Sequence, residues 1–153
     1  MIAGLVQVAS GRLRLVDGHT DRTIADEAHY LGHQDALKGA LTVAENLDFW
    51  SRYLGNPGSQ ATALTDVGLD GVAELPAAYL SAGQRRRLSI ARLIAVRRPI
   101  WLLDEPTAAL DRAAQATLAD LMQQHLVGGG MILAATHGPI GLNDAGELRL
   151  GAA

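Results

Sequence analysis

A chain of 153 residues that is 48% apolar and 19% charged has the composition of one folded domain with a sizeable core, which excludes intrinsic disorder and a comfortable two-domain arrangement. The net charge of −3 offers no overall attraction to nucleic acid or anionic lipid. The lack of cysteine removes disulfides, thiol chemistry and Cys-based metal sites, and no uninterrupted apolar run approaches the length of a membrane span.

The first ten residues are apolar but have no positive n-region, and Gly4 and Gln7 break the run, so they read as the interior of a domain rather than a signal peptide. Residues 12–16 alternate as a short strand, Asp17-Gly18 signals a turn, and residues 28–32 are a second strand candidate. Thr42 and Glu45 form a capping box for a helix in which Val43, Leu47, Trp50 and Leu54 share a face. Residues 55–59 end it as a loop, and a shorter helix over 61–67 closes at Gly68.

From Ser81 the pattern is helical again, with Leu88, Ala91 and Ile94 on one face. Arg97 and Arg98 suit the negative end of that helix, and Pro99 stops it. Residues 100–103 form a buried-type apolar strand that reaches Asp104 and Glu105. Asp111 caps a further helix with Ala114, Leu118, Leu121 and Met122 facing inward; Gly128 to Gly130 break it. Residues 131–135 read as another short buried strand, and residues 147–150 as a last edge strand. Helices alternating with short apolar strands imply an α/β fold with a mainly parallel sheet. The helical stretch from residue 42 interrupts the strands, giving a helical subdomain at approximately 42–98 inside a single domain, 1–153.

Four places are candidates for chemistry. Ile100-Trp101-Leu102-Leu103-Asp104-Glu105-Pro106 puts two acids at the carboxyl end of a strand, where ligands bind in open α/β sheets. An Asp there suits Mg²⁺ held through water, and a neighbouring Glu suits proton transfer from an attacking water. The competing reading is a strand followed by an ordinary acidic turn. Leu80-Ser81-Ala82-Gly83-Gln84 opens a helix with a hydroxyl, a close-approach glycine and free N–H groups that favour an anion; the competing reading is a plain serine N-cap. His137 follows a strand and suits contact with a phosphate oxygen or a water, although a lone His is more often structural. Gln34 follows the strand candidate at 28–32 and signals nothing in isolation.

The order gives these pieces weight. Gln34, Leu80 to Gln84, Asp104-Glu105, Ala109-Leu110-Asp111 and His137 resemble the Q-loop, signature motif, Walker B, D-loop and H-loop of an ABC ATPase domain, over nearly the whole chain. Within that family the chain is similar to the ATP-binding subunits of cytochrome c biogenesis (haem exporter) systems. Three passages carry the likeness: Gly32-His33-Gln34 with Lys38 and Leu41 to Leu47; Ala82 where most of the family have Gly; and Arg85 to Arg92 leading to Arg98-Pro99-Ile100-Trp101.

The resemblance implies a P-loop NTPase-like fold and a phosphoryl-transfer site for ATP and Mg²⁺. Asp104 and Gln34 would serve the metal, Glu105 would polarise the attacking water, and His137 would contact the γ-phosphate. Ser81 and Gly83 would cover the γ-phosphate of ATP on the opposite protomer of a homodimer, Gln84 would belong to the nucleotide-binding set, and Asp111 would sit at the seam. Positioning and charge stabilisation are the main demands of such chemistry, so no covalent nucleophile is needed. It also implies a CcmB-like transmembrane ABC subunit as partner and a peripheral position on the cytoplasmic face of the inner membrane. A nucleic-acid partner is not expected, because Arg85 to Arg87 and Arg92 spiral around one helix without interleaved aromatics.

One family element has no counterpart. A P-loop needs Gly-x-x-x-x-Gly-Lys-Ser/Thr, and the only lysine, Lys38, lies outside any such run. Met1-Ile2-Ala3-Gly4-Leu5 resembles the end of the helix after the P-loop, so the sequence is expected to lack the opening strands and the P-loop. Charge-assisted hydrogen bonds contribute about 1.5–3 kcal/mol each, so losing four removes roughly 6–12 kcal/mol. A micromolar site totals only about 8 kcal/mol. ATP binding by these 153 residues alone is therefore not expected. The alternatives are a fragment of a complete ATPase, or a non-catalytic binding module that docks to a membrane subunit or an intact ATPase. Soluble ABC ATPases outside transport share the motifs but typically carry coiled-coil insertions or a second cassette.

Overall fold

The computed structural model describes residues 2–16, 21–55 and 60–148. Its elements are α1 (Ile24–Glu27), β1 (Ala28–Leu31), α2 (Val43–Tyr53), α3 (Gln60–Asp66), α4 (Ala82–Ala95), β2 (Ile100–Asp104), α5 (Arg112–Val127) and β3 (Met131–Ala135), with short 3₁₀ turns at Asp70–Val72 and Ala77–Tyr79. The three described strands form one parallel sheet in the order β1-β2-β3. This is the α/β architecture with a parallel sheet that the alternation of elements implies.

The central strand β2 is buried on both faces through Ile100, Trp101, Leu102 and Leu103. Its register places Leu31 beside Leu103, and Asp104 beside Ala135. The ends of all three strands therefore open on one edge of the sheet. One face is covered by a core of Leu31, Leu88, Leu93, Trp101, Leu103, Leu118 and Met122, to which the helices contribute. Tyr30, Met131 and Leu133 are exposed.

The helices start where side chains satisfy their free N–H groups. Thr42 and Glu45 form a reciprocal box at α2, with Glu45 N–H donating to Thr42 Oγ1 at 3.1 Å and Thr42 N–H to Glu45 Oε2 at 2.8 Å. The next orphan donors of α2, at Val43 and Ala44, reach the carbonyls of Leu75 and Ala73. Asn46 is buried and ties the preceding loop to α2, accepting from Lys38 N–H and donating to the carbonyls of Lys38, Leu41 and Thr42. Helices α2, α3 and α4 pack on one another. α3 closes at Gly68, whose φ of +65° is the left-handed conformation that glycine takes without a Cβ penalty.

Several expectations need correction. Residues 12–16 form no strand: no described strand lies beside them to complete a ladder, and Leu15 instead packs as coil against Ala28, Ile100 and Leu102. Strand β3 is an edge of the described sheet, alternately exposed and half-buried, because only β2 pairs with it. Residues 147–148 are not in a strand, while residues 149–150, the turn at Asp17-Gly18 and the loop residues 56–59 lie outside the described residues. The short helix α1, with its Thr23–Asp26 capping box, went unread. Among the described residues, no helix is long and apolar enough to cross a membrane.

Candidate nucleotide-hydrolysis site

Asp104 ends β2 and Glu105 follows it, both half-buried at the strand tip. Glu105 has φ +43°, a left-handed conformation that costs a non-glycine residue on the order of 1–3 kcal/mol. Neighbouring bonds enforce it. The Glu105 N–H donates to Ala135 O at 2.8 Å, while its carbonyl accepts from Arg86 Nη2 at 2.7 Å and from the Ala108 N–H at 3.1 Å.

The carboxylate is fixed as well. Glu105 Oε1 accepts the main-chain N–H of His137 at 3.0 Å, and the imidazole Nε2 stands 3.8 Å from the same oxygen. Thr136 Oγ1 both accepts the Gly138 N–H and donates to Gly138 O, which pins the turn presenting His137. The ring of His137 is fully exposed and the Glu105 side chain is 33% exposed, so both face solvent where a ligand can reach them. A carboxylate and an imidazole at one strand edge can orient a water and contact a phosphate oxygen.

Gln34 is exposed in the loop after β1. Among the described residues its side chain makes no hydrogen bond to Asp104, Glu105 or His137; the link is indirect. Arg86 of α4 donates from Nη1 to Gly32 O at 2.7 Å and approaches Asp35 Oδ1 at 3.4 Å. It donates from Nη2 to Asp104 O at 2.8 Å. Ser89 Oγ holds Asp35 O at 3.0 Å.

Ser81, Gly83, Gln84 and Asp111 occupy helix starts, and none of them is bonded to Glu105 or His137. Ser81 and Gln84 close a capping box, with Gln84 N–H donating to Ser81 Oγ at 3.2 Å and Ser81 N–H to Gln84 Oε1 at 2.9 Å. Asp111 Oδ1 accepts the Ala114 N–H at 2.8 Å. The helix-capping roles of Ser81 and Asp111 are therefore present. Gly83 packs so closely that a Cβ there would lie 3.0 Å from Ala109 O, which joins the start of α4 to the loop leading to Asp111.

Two of the arginines on α4 are buried, which the basic run by itself does not reveal. Arg86 and Arg92 are 3% and 6% exposed, respectively. Arg92 donates to Tyr30 O at 2.7 Å and lies 4.5 Å from the Trp50 ring centroid; burial pushes its pKa down to about 10, so it stays charged. The available signal was spacing. Arg86, Ile90 and Leu93 stand at i, i+4 and i+7, which aligns Arg86 with a buried stripe.

The chain belongs to the ABC transporter family, whose model matches residues 1–108, a span that holds Gln34, the Ser81 helix start and the Asp104-Glu105 pair. It is 61% identical to the cytochrome c biogenesis ATP-binding export protein CcmA of Nitrobacter winogradskyi, over 100% of this chain and 76% of that protein. The proteins of the same name from Rhodopseudomonas palustris (strain BisB5) and Bradyrhizobium diazoefficiens are 58% and 57% identical, each again covered over 76% of its length. Among solved structures, an ATP-binding subunit of an ABC transporter superposes with a TM-score of 0.67 at 20% identity, over 74% of this chain and 50% of that one, a likeness of fold.

Proposed function

We propose that this chain acts within the ATP-hydrolysing, energy-coupling subunit of an ABC transporter serving c-type cytochrome biogenesis, of the haem-exporter type. The observation that carries the reading is the Glu105 carboxylate held by the His137 N–H across the tips of β2 and β3. In this reading the terminal phosphate of ATP lies against the His137 imidazole, and Glu105 orients a water. The bond from water oxygen to phosphorus forms as the bond to the ADP oxygen breaks, and the water's proton passes to the Glu105 carboxylate.

Asp104 and Gln34 are the residues to serve Mg²⁺. The donors are all oxygen, and among the described residues no group of three or more His, Cys, Asp or Glu is arranged to hold an ion unaided. That suits Mg²⁺, which keeps waters and takes phosphate ligands rather than an all-protein cage. When bound it supplies charge neutralisation of the phosphates.

Ser81, Gly83 and Gln84 would face ATP on a second copy of the chain, with Asp111 at the seam of the homodimer. The mutual packing of α2, α3 and α4 supports treating residues 42–98 as a helical subdomain. The partner would be a CcmB-like transmembrane subunit, with this chain peripheral on the cytoplasmic face of the inner membrane. The test is genetic replacement of the complete protein by its E105Q form. Loss of covalent haem from c-type cytochromes is expected, and normal cytochrome assembly contradicts the reading.

A further inference from the structure

A single guanidinium lies between the two loops of the site. Arg86 is on the second turn of α4, with its side chain 4% exposed, and every N–H of its planar fork has a recipient. Nη1 serves Gly32 O at 2.7 Å and Asp35 Oδ1 at 3.4 Å, the residues on either side of His33 and Gln34. Nη2 serves Asp104 O at 2.8 Å and Glu105 O at 2.7 Å, and Nε points to Pro106 O at 3.4 Å. The charge has Asp35 as its carboxylate partner. The rest of its shell is main-chain carbonyl, so the group holds backbone rather than another side chain.

We propose that Arg86 is a positioning residue for hydrolysis: it clamps the backbone on which Glu105 stands and joins it to the segment carrying Gln34. The inference rests on the reading of Glu105 as the water-orienting group. Glu105 occupies a left-handed conformation that its own side chain does not favour, and two kinds of support keep it there. Its N–H is held from β3 by Ala135, and its carbonyl is held from α4 by Arg86 at 2.7 Å and within its own turn by the Ala108 N–H at 3.1 Å. Without Arg86 the carbonyl keeps only the longer bond from the Ala108 N–H at 3.1 Å, the hold from α4 is lost, and the carboxylate shifts from the His137 N–H.

The rigid fork matters as much as the charge. A guanidinium presents five donors in one plane and can span two loops, whereas an ammonium is a point charge with three donors. Lysine at this position reaches one loop or the other. The same geometry makes displacement of residues 32–35 a displacement at 104–106, so a partner that moves the Gln34 segment moves the carboxylate.

The experiment compares wild type, R86K, R86M and, as a control, R97Q in the complete protein assembled with its membrane partner. Arg97 is exposed and makes none of these contacts. Steady-state ATP hydrolysis is measured with amide hydrogen exchange on the same preparations. A misplacement of about 1 Å is enough to cost on the order of 100-fold in rate. R86M is accordingly expected to lower kcat about 100-fold and R86K about 10-fold, with KM for ATP within about threefold of wild type. Exchange should rise together at residues 33–35 and 105–107, with R97Q unchanged. If R86M does not fold, R86K carries the test, since it keeps the charge. Wild-type kcat in R86K, an apparent kcat that falls only by the fraction of folded protein lost, or exchange rising in one loop only overturns the proposal. A wild-type complex that hydrolyses no ATP overturns both this proposal and the functional reading; an active wild type with an unaffected R86K overturns this one alone.

Discussion

Glu105 and His137 are 32 residues apart in sequence, yet the main-chain N–H of the second donates to the carboxylate of the first at 3.0 Å. Because the donor is backbone, the contact survives removal of the imidazole. This separates two roles that a single substitution usually confounds. H137A is expected to leave Glu105 in place and to lose only the ring's contact with phosphate, lowering kcat by about 100-fold or more while the chain melts as wild type does. Hydrolysis and thermal unfolding measured on the same protein check this; wild-type hydrolysis in H137A would make the ring dispensable.

Ser81 presents a second confounded case, because its hydroxyl already caps α4. Aspartate caps a helix about as well as serine, whereas alanine costs on the order of 1 kcal/mol. S81A is therefore expected to lower stability by roughly that amount, and S81D to leave it near wild type. If Ser81 faces a phosphate across a dimer, S81D places a carboxylate against an anion and abolishes hydrolysis in spite of its stability. An S81D protein that hydrolyses ATP normally reduces Ser81 to a cap.

His29 sets an acid limit on stability. It is 2% exposed, hydrogen-bonded to Val96 O, and burial pushes its pKa from 6.5 down to about 4. The unfolded chain takes up this proton before the folded one, so the stabilisation is complete above about pH 6.5 and is lost as pH falls towards 4. The loss amounts to about 1.4 kcal/mol per pH unit across that window. H29Q has no proton to take up, and its urea midpoint should fall less steeply between pH 6.5 and 4.5 than that of wild type. Parallel curves would remove His29 as the cause.

The 153 residues contain no Gly-x-x-x-x-Gly-Lys-Ser/Thr run, and titration of this chain with ATP and Mg²⁺ is expected to give no micromolar binding. Isothermal calorimetry settles the matter. A micromolar dissociation constant would mean that the remaining motifs suffice.

Local signals were legible wherever one short segment decides the outcome. The Thr42–Glu45 box, the Ser81 and Asp111 caps and the apolar run into Asp104 appear where spacing and chemistry put them. Partnership was not legible. Residues 12–16 alternate as a strand should, but a strand exists only when a neighbour completes its ladder, and none is described there. The residues at 131–135 are as apolar as those of β2, but depth in a sheet depends on what lies on the far side. The Glu105–His137 contact could be expected only from motif order, since no local pattern encodes a bond over that separation. Arg86 was hidden by its company: in a run of three arginines, composition suggests a solvated face, and only the helical phase separates the buried one.

ATP hydrolysis by the complete protein, assembled with its membrane partner and measured as wild type and as E105Q, tests the role of the Glu105 carboxylate. Glutamine keeps an oxygen to accept the His137 N–H but cannot take a proton from water. The expected result is ATP binding as tight as wild type with kcat lowered by about 100-fold or more. Hydrolysis by E105Q at the wild-type rate would mean that the carboxylate at the tip of β2 has no part in splitting the nucleotide.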